Sequence, residues 1–175
     1  KNADLGIFAG ASYYLGELNP SGHYRNLNPN FGLVYRHNFN PHHSLKWNLN
    51  YAGISAGGTS FDYLYGDAGF SSFLVDMGFQ FEFNFMPFKP YTRFFQQSSY
   101  VSGGIGMSVL NEPGGTGYEP VLPFGVGWKL NLGGRWALAA AWEFRKTFFD
   151  DMDGVVNLTG PDARSILHNN DWYSF

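Results

Sequence analysis

FLVDMGFQFEFNFMP, residues 73–87, is two sequences interleaved. Phe73, Val75, Met77, Phe79, Phe81, Phe83 and Phe85 are all apolar. Between them lie Leu74, Asp76, Gly78, Gln80, Glu82, Asn84 and Met86, mostly polar and including two carboxylates. Successive side chains of a strand point to opposite faces, so this period of two predicts one strand with a continuous phenylalanine face and a polar face. A soluble strand keeps such a pattern for only a few residues. The question is which face meets water.

The same alternation recurs to either side of this stretch, and helical periodicity is hard to find. Before it, Leu5, Ile7, Ala9, Ala11, Tyr13 and Leu15 oppose Gly6, Gly10, Ser12 and Gly16. Phe31, Leu33 and Tyr35 then oppose Gly32, Val34, Arg36 and Asn38, and Leu45, Trp47, Leu49 and Tyr51 oppose Lys46, Asn48, Asn50 and Ala52. After it, Val101, Ile105, Met107 and Val109 oppose Ser102, Gly104, Gly106 and Ser108. A sixth segment sets Leu122, Phe124, Val126, Trp128 and Leu130 against Gly125, Gly127, Lys129 and Asn131. The seventh sets Trp136, Leu138, Ala140, Trp142, Phe144 and Phe148 against Ala137, Ala139, Ala141, Glu143, Arg145 and Thr147. Lys146 falls on the apolar side there, where its long stem can snorkel to an interface. An eighth strand opens at DWYSF, residues 171–175.

Connections alternate in length. Residues 38–44, 86–93 and 131–135 read as short turns, marked by Asn40-Pro41 and Gly133-Gly134. Residues 17–30, 54–71 and 150–170 read as long loops, and 111–118 as an intermediate one. Strand, long loop, strand, short turn is the pattern of an outer-membrane barrel with short periplasmic turns and long external loops. The expected fold is therefore all-β: a single domain over 1–175, an eight-stranded antiparallel up-and-down transmembrane β-barrel with a filled polar lumen. Both termini are expected in the periplasm.

Composition agrees. Aromatic residues make up 19% and charged residues 14%, against about 25% charged in ordinary soluble domains. No apolar run is long enough for a transmembrane helix, and a mean hydropathy of -0.23 is blind to strands whose two faces average out. A soluble lipocalin-like cup would show water a polar face, but here that face is mostly Gly, Ala, Ser and Asn, with few of the charges a soluble surface carries. The aromatic face is too bulky for the inside of an eight-stranded barrel. About 13 residues, at roughly 3.3 Å rise and 45° tilt, cover some 30 Å, enough for the apolar band. Tyr13, Phe31, Trp47, Phe85, Trp136 and Phe148, near strand ends, are expected in the interfacial girdles. The sequence opens at Lys1 just ahead of a strand pattern, as expected of a processed N-terminus.

On this facing, Arg36, Lys46, Asp76, Glu82, Lys129, Glu143 and Arg145 point inward, both signs nearly balanced. In a narrow lumen opposite charges on neighbouring strands pair. A structural plug of salt bridges is favoured over an ion or proton path, because side chains fill an eight-stranded lumen.

Chemistry is sparse. With no cysteine there is no disulfide, thiolate metal site or thiol nucleophile. His42-His43 reads as a solvated turn, since adjacent histidines rarely chelate one ion. Residues 150–154, DDMDG, have the carboxylate density of a calcium loop but not its spacing or its distal glutamate. His23, His168, Ser165 and Glu119 lie in segments read as external loops, but no motif makes them a lipid-modifying triad. Gly103-Gly104-Ile105-Gly106 sits inside a strand and is no phosphate loop. No enzyme activity, metal or cofactor is expected. A net charge of -3 gives no sign of nucleic-acid binding. The long loops are acidic (Glu17, Asp62, Asp67, Glu112, Glu119, Asp150, Asp151, Asp153, Asp162) and the short turns basic (Lys89, Arg93, Arg135), a weak hint that the two ends steer different partners.

Six stretches, in order, carry a family likeness: GASYYLGELNP (10–20), FGLVYRHNFNP (31–41), FEFNFMPF (81–88), PFGVGWK (123–129), EFRKTFFDDMDGV (143–155) and NNDWYSF (169–175). Together they resemble the PorG-like outer-membrane proteins of the Bacteroidota type IX secretion and gliding machinery. The resemblance implies an outer-membrane subunit without chemistry of its own, associated with the periplasmic ring of the lipoprotein PorK and its partner PorN, and in contact with outer-membrane lipid and lipopolysaccharide. The contact surface is then expected at the short-turn end, with His42, Phe88, Lys89, Tyr91, Arg93 and Arg135 as candidates. The chain departs from the family pattern at Glu17, where aspartate is usual, and at the eighth strand. DWYSF is about half the length needed to cross, and residues beyond Phe175 are expected to complete it. The alternative function is a free-standing barrel of the OmpA or OmpX kind, serving adhesion or envelope stability, or a lipid-modifying barrel enzyme, acting through the long loops.

Overall fold

The computed structural model describes residues 2–15, 27–56, 70–92, 95–112, 115–148 and 172–175. Within them the chain forms β1 (Ala3–Leu15), β2 (Asn28–Asn38), β3 (His43–Ala56), β4 (Phe70–Asn84), β5 (Gln96–Glu112), β6 (Gly115–Gly133), β7 (Trp136–Thr147) and β8 (Trp172–Ser174). Each strand pairs antiparallel with the next, and β8 returns to β1, so the sheet closes into a barrel in sequence order. No helix occurs among the described residues.

Register follows from the alternation. Opposite β4, Leu45 meets Phe81, Lys46 meets Gln80 and Asn50 meets Asp76 on β3; on the other side β5 sets Ser108 against Asp76 and Ser102 against Glu82. At these positions apolar meets apolar and polar meets polar, and a one-residue slip would exchange the faces of the whole strand. The consequence is an inverted distribution. Phe79 is 55% exposed on the outside, while its neighbours Gln80, Asp76 and Glu82 are fully buried inside. Leu5, Ile7, Phe31, Phe73, Phe124, Val126 and Trp128 continue the exposed apolar surface around the barrel.

Several expectations are corrected. Residues 111–118 are not a loop. Alternation carries β5 to Glu112 and β6 starts at Gly115, leaving Pro113-Gly114 as the connection. Glu119 accordingly leaves the external loops and is buried within β6. The pairing of β5 with β6 skips residues 104–105 against 122–123, where Pro123 has no N–H to donate. β7 ends at Thr147, short of Phe148. Tyr13 is not an exposed girdle residue but 2% exposed. It lies opposite Ser174, which in turn lies opposite Phe144, and Trp142 Nε1 donates to its hydroxyl at 3.2 Å. The small Ser174 lets these rings close over the narrow eighth strand. Phe8, left out of either face by the sequence pattern, packs against Gly32, where any Cβ would meet its ring at 2.5 Å.

The connection after β4 is longer than a tight turn, and its residues 85–92 fold across the barrel end. Phe88 N–H donates to Pro41 O at 2.9 Å, and Tyr91 OH to Ala3 O at 2.5 Å. Asn131 Nδ2 reaches Lys89 O and Thr92 O at 3.3 Å each. Tyr91 holds φ 68°, and Gly133 and Gly134, at 94° and 69°, turn β6 into β7. That left-handed region suits glycine.

Candidate functional site

The inward faces of β2 to β7 place all seven expected charges in the lumen, in two ion-paired clusters, Asp76–Arg145–Glu143–Lys46 and Arg36–Glu82–Lys129. Nearest the long-loop end, Asp76 Oδ1 accepts from Asn50 Nδ2 at 2.8 Å, Asn48 Nδ2 at 3.2 Å and Arg145 Nε at 3.3 Å. Its Oδ2 is met by the hydroxyls of Tyr173 at 3.0 Å and Ser108 at 3.2 Å, which also touch each other. The last strand is thus tied to the far wall through one carboxylate. Arg145 stacks on the Phe175 ring at 4.9 Å.

The middle layer centres on Glu143. Lys46 binds its Oε1; Arg145 and Gln80 donate to Oε2 at 3.0 and 3.1 Å. Gln80 also donates to Asn48 Oδ1 at 3.3 Å, linking this layer to the Asp76 cluster. Below lies Glu82, completely buried, with Arg36 Nε 3.1 Å from both carboxylate oxygens and Lys129 on Oε2. Lys129 continues to Asn84 Oδ1 at 3.1 Å and lies 4.4 Å from the Tyr100 ring centroid. Removing one member of such a buried pair costs about 3–5 kcal/mol, because the partner's charge is left without compensation.

Glycine makes this packing possible at Gly127, where any Cβ would meet the Tyr100 ring at 2.4 Å. Under Tyr100 and Lys129 the lumen ends on Phe88, 4% exposed and 5.9 Å from the Lys129 ammonium. Of the residues expected at the partner surface, Phe88 therefore turns inward and stoppers the barrel. His42 is half-buried, its Nδ1 donating to Asn84 O at 2.9 Å. Lys89, Tyr91 and Arg135 remain exposed, beside Phe39, Phe85, Phe95, Leu132 and Trp136. Arg93 lies outside the described residues.

Sequence reasoning placed the charges, and Asn48, Asn50, Gln80, Asn84 and Ser108 with them, on the inward face. It missed Tyr100 and Tyr173, whose parity puts them on the same side. Asp4 was also missed; it accepts from Asn38 Nδ2 at 2.7 Å. In this network Asp76, Glu82 and Glu143 are each bonded to a cation, and Asp4 to an amide. Among the described residues no three His, Asp or Glu side chains gather as metal ligands. Glu119 is in the lumen, while His23, Ser165, His168 and residues 150–153 lie outside the described residues.

Residues 1–175, the whole chain, match the family described as a domain of unknown function, DUF6089. The chain belongs to the DUF6089 family. No curated protein and no solved structure matches it. This DUF6089 member presents an apolar exterior, a lumen crossed by ion pairs, and one end covered by its own connection.

Proposed function

We propose that the protein is a non-enzymatic barrel of the bacterial outer membrane that holds a periplasmic partner at its short-turn end. The observation that carries this reading is the inverted burial of neighbouring residues, Phe79 and Phe81 outside against Gln80 and Glu82 inside. Water on the outer face would meet a belt of Phe, Leu, Val and Trp around the barrel, far more than the few hundred Å² of contiguous apolar surface that soluble monomers tolerate. Lipid suits that belt, and the ladders from β1 through β7 give those strands the paired backbone that a bilayer demands.

The partner reading draws on the turn end. Its described residues carry Lys89 and Arg135 and no acidic side chain on connections 39–42, 85–92 and 134–135, together with exposed Tyr91, Phe39 and Trp136. Aromatic and arginine side chains are the usual anchors of protein interfaces. Together with the resemblance to PorG-like subunits, this supports attachment of the PorK and PorN ring of the type IX secretion machinery, the barrel serving as its membrane anchor.

The test is purification of the intact barrel from native outer membranes. PorK and PorN are expected to copurify, and Lys89→Glu with Arg135→Glu to reduce their recovery several-fold while leaving the barrel in the membrane fraction. If no ring protein copurifies, and substitutions in 150–170 abolish the phenotype instead, the protein is a free-standing barrel acting through its loops.

A further inference from the structure

Residues 85–92 leave the end of β4 and cross the barrel mouth, tied down unequally along the way. At the start, Phe85 N–H donates to Ser99 O at 3.0 Å. Met86 N–H donates to Ser98 Oγ at 3.1 Å, and that hydroxyl donates to Met86 O at 2.8 Å, both partly buried. Further on the bonds are exposed: Lys89 N–H to Gln96 Oε1 at 3.0 Å and the Thr92 hydroxyl to Lys89 O at 3.1 Å. Ser98, Ser99 and Gln96 belong to β5, and Asn131, which reaches Lys89 O and Thr92 O, belongs to β6. Those ties keep the segment to its own side. Phe88 N–H reaches Pro41 O between β2 and β3, and the exposed bond from Tyr91 OH to Ala3 O carries the segment to β1 on the opposite wall.

Tyr91 makes that reach at a conformational cost. Among the described residues it is the one non-glycine with positive φ, at 68°. A side chain crowds the backbone in that region, and the cost is comparable to the net worth of a single hydrogen bond. Tyr91 is also 39% exposed, so water can replace Ala3 O as the partner of its hydroxyl. A strained residue persists only where its surroundings hold it, and here the hold is one exchangeable bond.

We propose that residues 87–91 form a releasable strap and that Tyr91 is its latch. When the hydroxyl lets go, Tyr91 leaves the left-handed region. The strap then swings away from Met86, which stays tied to Ser98, and Phe88 and Lys89 give up their bonds to Pro41 and Gln96. Phe88 is drawn out from beneath the Lys129 ammonium, 5.9 Å from its ring. The Arg36–Glu82–Lys129 pairs stay in place above, so opening uncovers the floor of the lumen and makes no path through it. The latch belongs to the barrel alone; its use rests on the reading of a partner at this end, where a partner that engages Tyr91 competes with Ala3 O and opens the strap as it docks.

The test is site-resolved amide hydrogen exchange on the full chain folded in detergent micelles. In the unaltered chain, exchange at Phe88 and Lys89 is expected to be insensitive to low urea, as a local opening is. Residues 76–82 of β4 should exchange through an opening that urea promotes. Tyr91→Phe removes the hydroxyl but keeps the ring and the backbone cost. It should speed exchange at Phe88 and Lys89 about fivefold, the loss of one hydrogen bond, and leave 76–82 unchanged. Unaltered rates at Phe88 and Lys89 in that variant, equal acceleration throughout β4, or one urea dependence common to strap and strand would each overturn the latch. Should Tyr91→Phe fail to fold, the urea dependence of the unaltered chain still decides. Exchange is read without a partner and copurification without exchange, so the latch and the partner reading fail separately.

Discussion

Glu82 shows how one side chain holds a lumen. It takes Arg36 on both oxygens and Lys129 on one, so truncating it strands two buried cations. Lys129 has a second acceptor in Asn84, and its loss would leave Glu82 still held by Arg36. Glu82→Ala should therefore cost about 3–5 kcal/mol, and Lys129→Met, which keeps the apolar stem, distinctly less. Urea unfolding of the two variants in micelles orders them; equal losses would mean that the ion pairs contribute little and stem packing dominates. Gly127 is a second residue-scale constraint. Gly127→Ala drives a methyl into the Tyr100 ring and should cost about 1–3 kcal/mol as overpacking. In the double variant with Tyr100→Leu, unfolding should show less than the sum of the single losses, since the two sites share one space.

At the scale of the element, β4 carries the fold in its alternation, and its facing is testable by depth. Arginine on the outer face of a membrane strand costs about 2–4 kcal/mol at the midplane and about 0–1 near the interface. Phe79→Arg, within the strand, should thus impair folding into vesicles far more than Phe85→Arg, which lies just past the strand end at Asn84. Equal yields would argue against a bilayer around the strand. The same element shows what could be read from sequence. Period and parity predicted its outward phenylalanines and inward acids and put Asn48 and Asn50 on the acids' side, and parity would have added Tyr173 as a further partner. Connections were read less well. Nothing local marks Phe88 as a stopper rather than a surface anchor, because its burial depends on Pro41, Ala3 and Asn131 from three other parts of the chain. Glu119 was misplaced because Pro113-Gly114 and Pro120 look like loop chemistry, although the strands continue on either side of the two-residue connection.

For the whole molecule, the layers act in series. A path along the lumen would have to pass the Asp76 cluster, the Lys46–Glu143–Arg145 layer, the Arg36–Glu82–Lys129 layer and then Phe88. The charged side chains of each polar layer are ion-paired with one another, so an entering ion would have to compete with those pairs. Blocks in series make the seal redundant. Phe88→Ala should leave the barrel as closed as the unaltered chain, because the Arg36–Glu82–Lys129 ion pairs directly above it still cross the lumen. In planar bilayers both proteins are expected to give no discrete conductance steps. Combining Phe88→Ala with Glu82→Ala removes two adjacent blocks but leaves the upper two, and is likewise expected to stay silent while losing stability. Steady conductance from Phe88→Ala alone would show that the ion-paired layers leave a continuous path, and the barrel would then have to be treated as a gated pore.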